Sequence, residues 1–289
     1  MKKTYLYFLI LALILILINP TLSAKGAAEG LVLWLNTVIP TLFPFIIISN
    51  MLVKLYGKSF KNPVIFPVLL GILCGFPVAA SLASGLSKDN VIDKRTAQFI
   101  AGSANMASPM FISAYAISFG LCRSRSVIPL FYIPVIILIT VLYIIYKPSA
   151  SKISETKNDF PGKRELLCIF DDCIALSSST LIKIGGYIII FSMIATIISG
   201  IPIGSPILKA SVIGSIEMTN GISYISNTCI PDPIKLLIVT TMVNFGGLCT
   251  IAQTNCVIRG SCISLKEYIY SKLLFAVITY LTVTLYNLF

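Results

Sequence analysis

Histidine is absent from the chain, and charged residues make up only 11% of it. The first absence excludes imidazole metal sites and Ser/His or Cys/His dyads. The second leaves too few ionisable side chains to cover a water-exposed surface, because a soluble domain carries about 25% charge. A soluble enzyme or a nucleic-acid module is therefore excluded. The eight cysteines (74, 122, 168, 173, 229, 249, 256 and 262) form no C-x-x-C pair, so neither a metal cluster nor a disulfide framework is expected. Most of them lie in apolar runs, where cysteine packs as a small hydrophobe.

What remains is apolar. Hydrophobic residues make up 56% of the 289, and mean hydropathy is +0.93. The pattern is that of an all-α polytopic membrane protein with the lipid bilayer as its first partner. The sequence pI of 9.3 does not imply nucleic acid, because the basic residues sit in short loops between apolar runs. Such loops suit a cytoplasmic face against anionic lipid.

A span needs about 20 apolar residues. Nine candidate segments occur: Tyr5–Ile18, Leu31–Val53, Val64–Leu86, Ala97–Leu121, Val127–Tyr146, Ile174–Ile198, Ile207–Ile230, Ile234–Ile258 and Tyr268–Phe289. The first could be a signal peptide, but Leu22 would then occupy the −3 position, so an uncleaved helix is expected. Two segments carry breakers at mid-depth. Val64–Leu86 holds Gly71, Gly75, Pro77 and Gly85; Ile207–Ile230 holds Gly214, Glu217, Asn220 and Gly221. Either both are kinked spans, or both are re-entrant hairpins buried by protein.

Loop charges separate these readings. If all nine segments cross, Lys and Arg divide nine inside to ten outside; if the two interrupted segments are hairpins, they divide fifteen to four. The positive-inside rule favours hairpins. Segments two to five and six to nine then form two inverted repeats. The expected division is an N-terminal transmembrane helix over 1–28, a first repeat over 29–146, a polar cytoplasmic-side linker over 147–172 and a second repeat over 173–289.

Faint internal matches agree. Gly71 matches Gly214 at an offset of 143, while Asp93 matches Asp232 and Asn105 matches Asn244 at 139. Pro40 and Pro44 lie opposite Ile182 and Gly186, with Gly185 beside it, so an interrupted helix is predicted in both halves.

Glu217 is the one acid near the middle of an apolar segment. A buried carboxylate must be protonated, paired or hydrated. It either binds substrate or a coupling cation at a hairpin tip, or it holds the hairpin by hydrogen bonds. Lys183 precedes Gly185-Gly186 and either contacts an anionic substrate or snorkels to the interface. Asn105 and Asn244 occupy matching small-residue stretches and either bind ligand or join helices. Thr219, Asn220, Thr250, Ser103, Ser108, Gln253 and Asn255 are further polar candidates of the same kind. The Gly75–Pro77 turn would point backbone N–H groups at a site, a suitable place for an anion.

Four stretches carry a family likeness: Gly30–Phe45, Cys74-Gly-Phe-Pro77, Ile184–Ser192 and Glu217-Met-Thr-Asn-Gly221. The chain resembles the YlbJ-type sporulation integral membrane proteins of the nucleoside-recognition Gate superfamily. The resemblance implies a fold like that of concentrative nucleoside transporters. It also implies a place in the outer forespore membrane and movement of a small anionic substrate, dipicolinate (pyridine-2,6-dicarboxylate), without any cofactor. It carries the site onto Glu217, Thr219, Asn220, Gly75 and Pro77. It departs at Ala79 and Ser81, where family members often carry Gly and Lys. The alternatives are a Gate-type permease for a nucleoside or other small metabolite, and a spore-envelope scaffold that transports nothing. An intramembrane enzyme is the least expected reading, and whether copies assemble into an oligomer is left open.

Overall fold

The computed structural model describes residues 7, 10, 13–56, 62–121, 127–149 and 163–288, all in helices or short connections. The first apolar segment and the polar linker are each described only in part, residues 5, 6, 8, 9, 11, 12 and 150–162 lying outside. Among the described residues, four helices are long and apolar enough to cross a membrane, and a fifth span arises if one bent pair counts as one. They are Ile128–Tyr146, Glu165–Ser199, Asp232–Ile258 and Leu265–Leu288. Ile136, Ile144, Leu167, Ile182 and Leu285 remain exposed on them, as a lipid-facing surface requires.

The bent pair is Pro20–Val38 with Leu42–Leu55, meeting at 55°. Its cause is local. Trp34–Val38 is wound as a π-helix, and Pro40 and Pro44 each lack a backbone N–H just beyond it. Pro20–Leu33 runs through the expected boundary at 28/29.

The predicted matching break in the second half is corrected. Lys163–Ser199 is one continuous helix that passes through Gly185 and Gly186 without interruption, and across the expected boundary at 172/173. Gly185 is there for proximity: an added Cβ would fall on the Trp34 indole. The indole Nε1–H donates to the Leu181 carbonyl at 3.0 Å, fixing the two helices together.

Both interrupted segments fold back on themselves. Ile65–Cys74 and Val78–Lys88 are joined by Gly75-Phe76-Pro77, where Gly75 has φ +86° and the Phe76–Pro77 bond is cis. In a continuous helix Gly71 and Ala79 would stand about 12 Å apart. Here a Cβ on Gly71 would collide with that of Ala79. Pro206–Ile216 and Met218–Ser226 are separated by Glu217 alone, in extended backbone. A Cβ on Gly221 would strike the Gly214 backbone. Helices of about ten residues reach about 15 Å, half the hydrocarbon thickness.

Two further helices are broken. Lys94–Ala104 begins at Asp93, whose carboxylate accepts the Thr96 N–H at 3.0 Å, and ends in non-helical backbone over 105–108. The chain resumes into a π-helix, Phe111–Leu121. Asp232–Phe245 ends at Gly246, and Gly247–Ile258 continues the span. Gly247 (φ +78°) lies so close to the Gly214, Ser215 and Ile216 carbonyls that a side chain would crowd them at 3.1–3.2 Å. The order long helix, folded pair, broken helix, spanning helix thus occurs twice.

The connections gather at two ends. At one end Thr96 Oγ1 donates to the Ser149 carbonyl (3.1 Å), and the Ser264 N–H donates to Gln98 Oε1 (2.8 Å). Lys94 also approaches Glu267 at 3.9 Å there. At the other end Asn287 donates to the Pro233 carbonyl at 3.1 Å, and Lys25 and Glu29 share a cleft with Ser199, Asn227 and Thr228.

Candidate functional site

A cavity of about 240 Å³ lies where the folded pairs meet the broken helices. Its apolar wall includes Leu33, Val38, Phe76, Phe111, Ile184 and Ile188; its polar wall includes Thr37, Ser108, Tyr115, Glu217, Thr219, Thr250 and Gln253. Helix starts surround it. Val78–Lys88 begins just after Gly75 and Phe76, and Met218–Ser226 begins just after Glu217. The segment running into Phe111–Leu121 begins just after Ser108, whose Oγ accepts the Phe111 N–H at 3.2 Å. Helix starts present N–H groups and partial positive charge. The Gly75 position must be glycine on two counts: its φ is positive, and a Cβ would sit 2.8 Å from the Ser108 nitrogen.

Glu217 is 3% exposed. Its Oε2 accepts the Asn220 N–H at 2.9 Å and the Thr219 hydroxyl, so the carboxylate caps Met218–Ser226 while lining the cavity. Of the two roles weighed from sequence, the hydrogen bonds that hold the folded pair are present, and the same side chain borders the cavity. Tyr115 closes the same region by donating its hydroxyl to the Thr219 carbonyl at 3.2 Å. Among the lining residues no lysine or arginine occurs.

Of the residues expected at the site, Gly75, Glu217, Thr219 and Thr250 line the cavity, as do Ser108 and Gln253. The others stand elsewhere. Asn220 turns away, donating to Ser192 Oγ at 2.7 Å and so fixing the second folded pair to the long helix. Pro77 borders a small crevice beside Ile46 and Ser49. Lys183 is exposed on the outer face of its helix and does not reach the cavity. Its exposed neighbour Ile182 shows that this face turns away from the protein.

Asn105 and Asn244 are fully buried behind the cavity and act as joints. Asn105 Nδ2 donates to Thr254 Oγ1 (3.0 Å) and to the Tyr268 hydroxyl (2.9 Å). Asn244 Nδ2 donates to Thr279 Oγ1 (3.0 Å) and to the Phe131 carbonyl (3.3 Å). Each ties the end of a broken helix to Leu265–Leu288.

Sequence reasoning passes over the residue between them. Lys272 is fully buried, and its Nζ donates to the main-chain carbonyls of Asn105 (2.7 Å) and Asn244 (3.2 Å). It also stands 4.5 Å from the centre of the Phe76 ring and 5.1 Å from that of Phe275. Phe76 also lines the cavity, and Lys272 is not among the lining residues. A lysine near the start of an apolar segment reads as snorkelling. The signal that finds it is the stripe Tyr268, Ser271, Lys272 and Thr279, polar groups that share the buried helix face with Phe275.

No family model matches the chain, and no solved structure matches it. A curated relative does: the chain is 24% identical to the sporulation integral membrane protein YlbJ of Bacillus subtilis (strain 168) over 307 aligned positions. That alignment takes in 89% of this chain and 75% of the relative. With its apolar spans and buried polar centre, this integral membrane protein is similar to the YlbJ-type sporulation proteins across nearly its whole length.

Proposed function

We propose that this chain is a permease, not an enzyme, that moves dipicolinate across the outer forespore membrane. Its architecture would be two inverted repeats of the Gate type. The observation that carries the reading is the chamber itself: helix starts at three chain breaks converge on one small cavity with aromatic walls. Helix starts suit carboxylates, and Phe76, Phe111 and Tyr115 suit a flat ring. The repeated order of elements supports the inverted architecture. So does the gathering of 25–29, 199 and 227–228 at the end opposite 94–98, 149 and 264–267.

Glu217 sets a condition. A dianion and an ionised carboxylate repel in one closed chamber, and a proton on Glu217 removes that repulsion. Dipicolinate would then enter together with a proton. In proteoliposomes the expected result is uptake of labelled dipicolinate that accelerates as external pH falls. Absence of uptake by correctly inserted protein, with or without a proton gradient, overturns the reading.

A second reading follows from the absence of lysine and arginine among the lining residues. An uncharged ring compound such as a nucleoside would meet Glu217, Thr219, Thr250 and Gln253 without charge conflict. Competition separates the two. In the first reading labelled nucleoside is not taken up and excess nucleoside leaves dipicolinate uptake unaffected, whereas in the second labelled nucleoside is taken up and excess dipicolinate does not suppress it.

A further inference from the structure

Among the described residues, Lys272 has no carboxylate as a hydrogen-bond or ion-pair partner. Its Nζ sits between two chain breaks, bonded to the Asn105 and Asn244 carbonyls at 2.7 and 3.2 Å. Both carbonyls stand at helix C-terminal ends: Asn105 closes Lys94–Ala104, and Asn244 is the penultimate residue of Asp232–Phe245. Such ends carry partial negative charge and carbonyls without intrahelical donors. The same two asparagines hold their side-chain Oδ1 atoms buried without a hydrogen-bond donor. Two residues from opposite halves therefore give the ammonium two carbonyl oxygens, and the same residues carry two further buried oxygens that it does not bond. The aromatic faces of Phe76 and Phe275 complete the surroundings.

This is the chemistry of a monovalent-cation site. Unwound carbonyls and half-helix C-terminal ends, assembled from two halves at a membrane midplane, coordinate alkali ions where an ion is needed. Here the positive charge arrives on a side chain. We propose that Lys272 is a tethered cation that occupies an alkali-ion site built from the two broken helices. The wild-type protein consequently needs no sodium or potassium at this position. A variant that removes the ammonium and leaves the space open acquires a site for a small free cation. The proposal is independent of which substrate the chamber takes.

Two variants distinguish this from plain loss of packing. Lys272→Ala removes both charge and volume, whereas Lys272→Met removes the charge and fills the space. Each is purified in detergent in sodium, potassium, ammonium or choline chloride at one ionic strength, and its melting temperature is followed as the small cation replaces choline. Wild type is expected to show no preference among the salts. Lys272→Ala is expected to gain stability saturably from at least one small cation. The gain should be about 3–5 °C at a tenfold excess over the dissociation constant. Lys272→Met is expected to melt below wild type and to respond to none. The proposal is overturned if Lys272→Ala responds no more than wild type, or if Lys272→Met responds equally. Recovery of Lys272→Ala as monodisperse protein in the small-cation salts but not in choline supports it by yield. Failure to recover that variant in every salt shows that free cations cannot replace the ammonium, and overturns it too.

Discussion

Glu217→Ala is expected to reduce dipicolinate uptake by reconstituted protein by about tenfold or more, a loss of about 1.4 kcal/mol at the barrier. It also leaves the Thr219 hydroxyl and the Asn220 N–H without their acceptor, which costs about 1–3 kcal/mol of stability. Alanine therefore removes both roles at once. Glu217→Gln separates them, because an amide oxygen still accepts from both donors and keeps the cap while the titrating charge is gone. Its melting temperature should stay within a few degrees of wild type. If Glu217 carries a proton with the substrate, uptake by Glu217→Gln loses its acceleration at low pH. If the residue is only a cap, Glu217→Gln transports with the wild-type rate and pH profile. Protein recovered as a monodisperse species in both variants keeps the comparison meaningful.

The second large effect is expected at the glycines that let the short helices fold together. Gly71→Val places a branched side chain on Ala79 and the Ala104 carbonyl; Gly221→Val places one on the Gly214 backbone and Met242. The Met242 side chain can swing aside, but Ala79 and the Gly214 backbone cannot yield without the folded pair opening. Overpacking of this kind costs about 1–3 kcal/mol, and more where backbone is struck. Either substitution is expected to lower the melting temperature by about 5 °C or more, or to prevent accumulation of folded protein. Gly85 and Gly186 provide the internal comparison. Both lie in helices, neither has a positive φ, and an added Cβ would meet nothing within 4 Å. Gly85→Ala and Gly186→Ala should be neutral or stabilising by up to about 1 kcal/mol, through helix propensity alone. Equal damage at all four positions would show that close approach is not what selects glycine at 71 and 221.

The folded pairs were legible in the sequence because mid-segment breakers and loop lysines are local features that do not depend on tertiary packing. Gly71 and Gly214, matched by a weak internal offset, both stand in close contacts, Gly71 against Ala79 and Ala104 and Gly214 against Met242, and Asn105 and Asn244 each stand at the end of a broken helix. What the asparagines do was not legible. Their partners Thr254, Tyr268 and Thr279 lie 35 to 163 residues away in sequence, and only the fold brings them together. Gly185-Gly186 misled for a physical reason. Glycine can break a helix or admit a neighbour, and one sequence does not say which; here Trp34 occupies the space. Lys183 and Lys272 show the same ambiguity for charge. Each lies in an apolar segment, yet Lys183 turns outward and Lys272 is sealed between two chain breaks.

The central claim is that each folded pair enters and leaves from its own side and the two meet around Glu217. Single cysteines at Asn62, Asp89, Gly204 and Asn227, in a cysteine-free background, test it directly with a membrane-impermeant thiol reagent. All four positions are exposed. Positions 62 and 89 should label from one face of the membrane, and 204 and 227 from the opposite face. Labelling of 62 and 89 from opposite faces, or of 204 and 227 from opposite faces, would make that segment a full crossing and contradict the account.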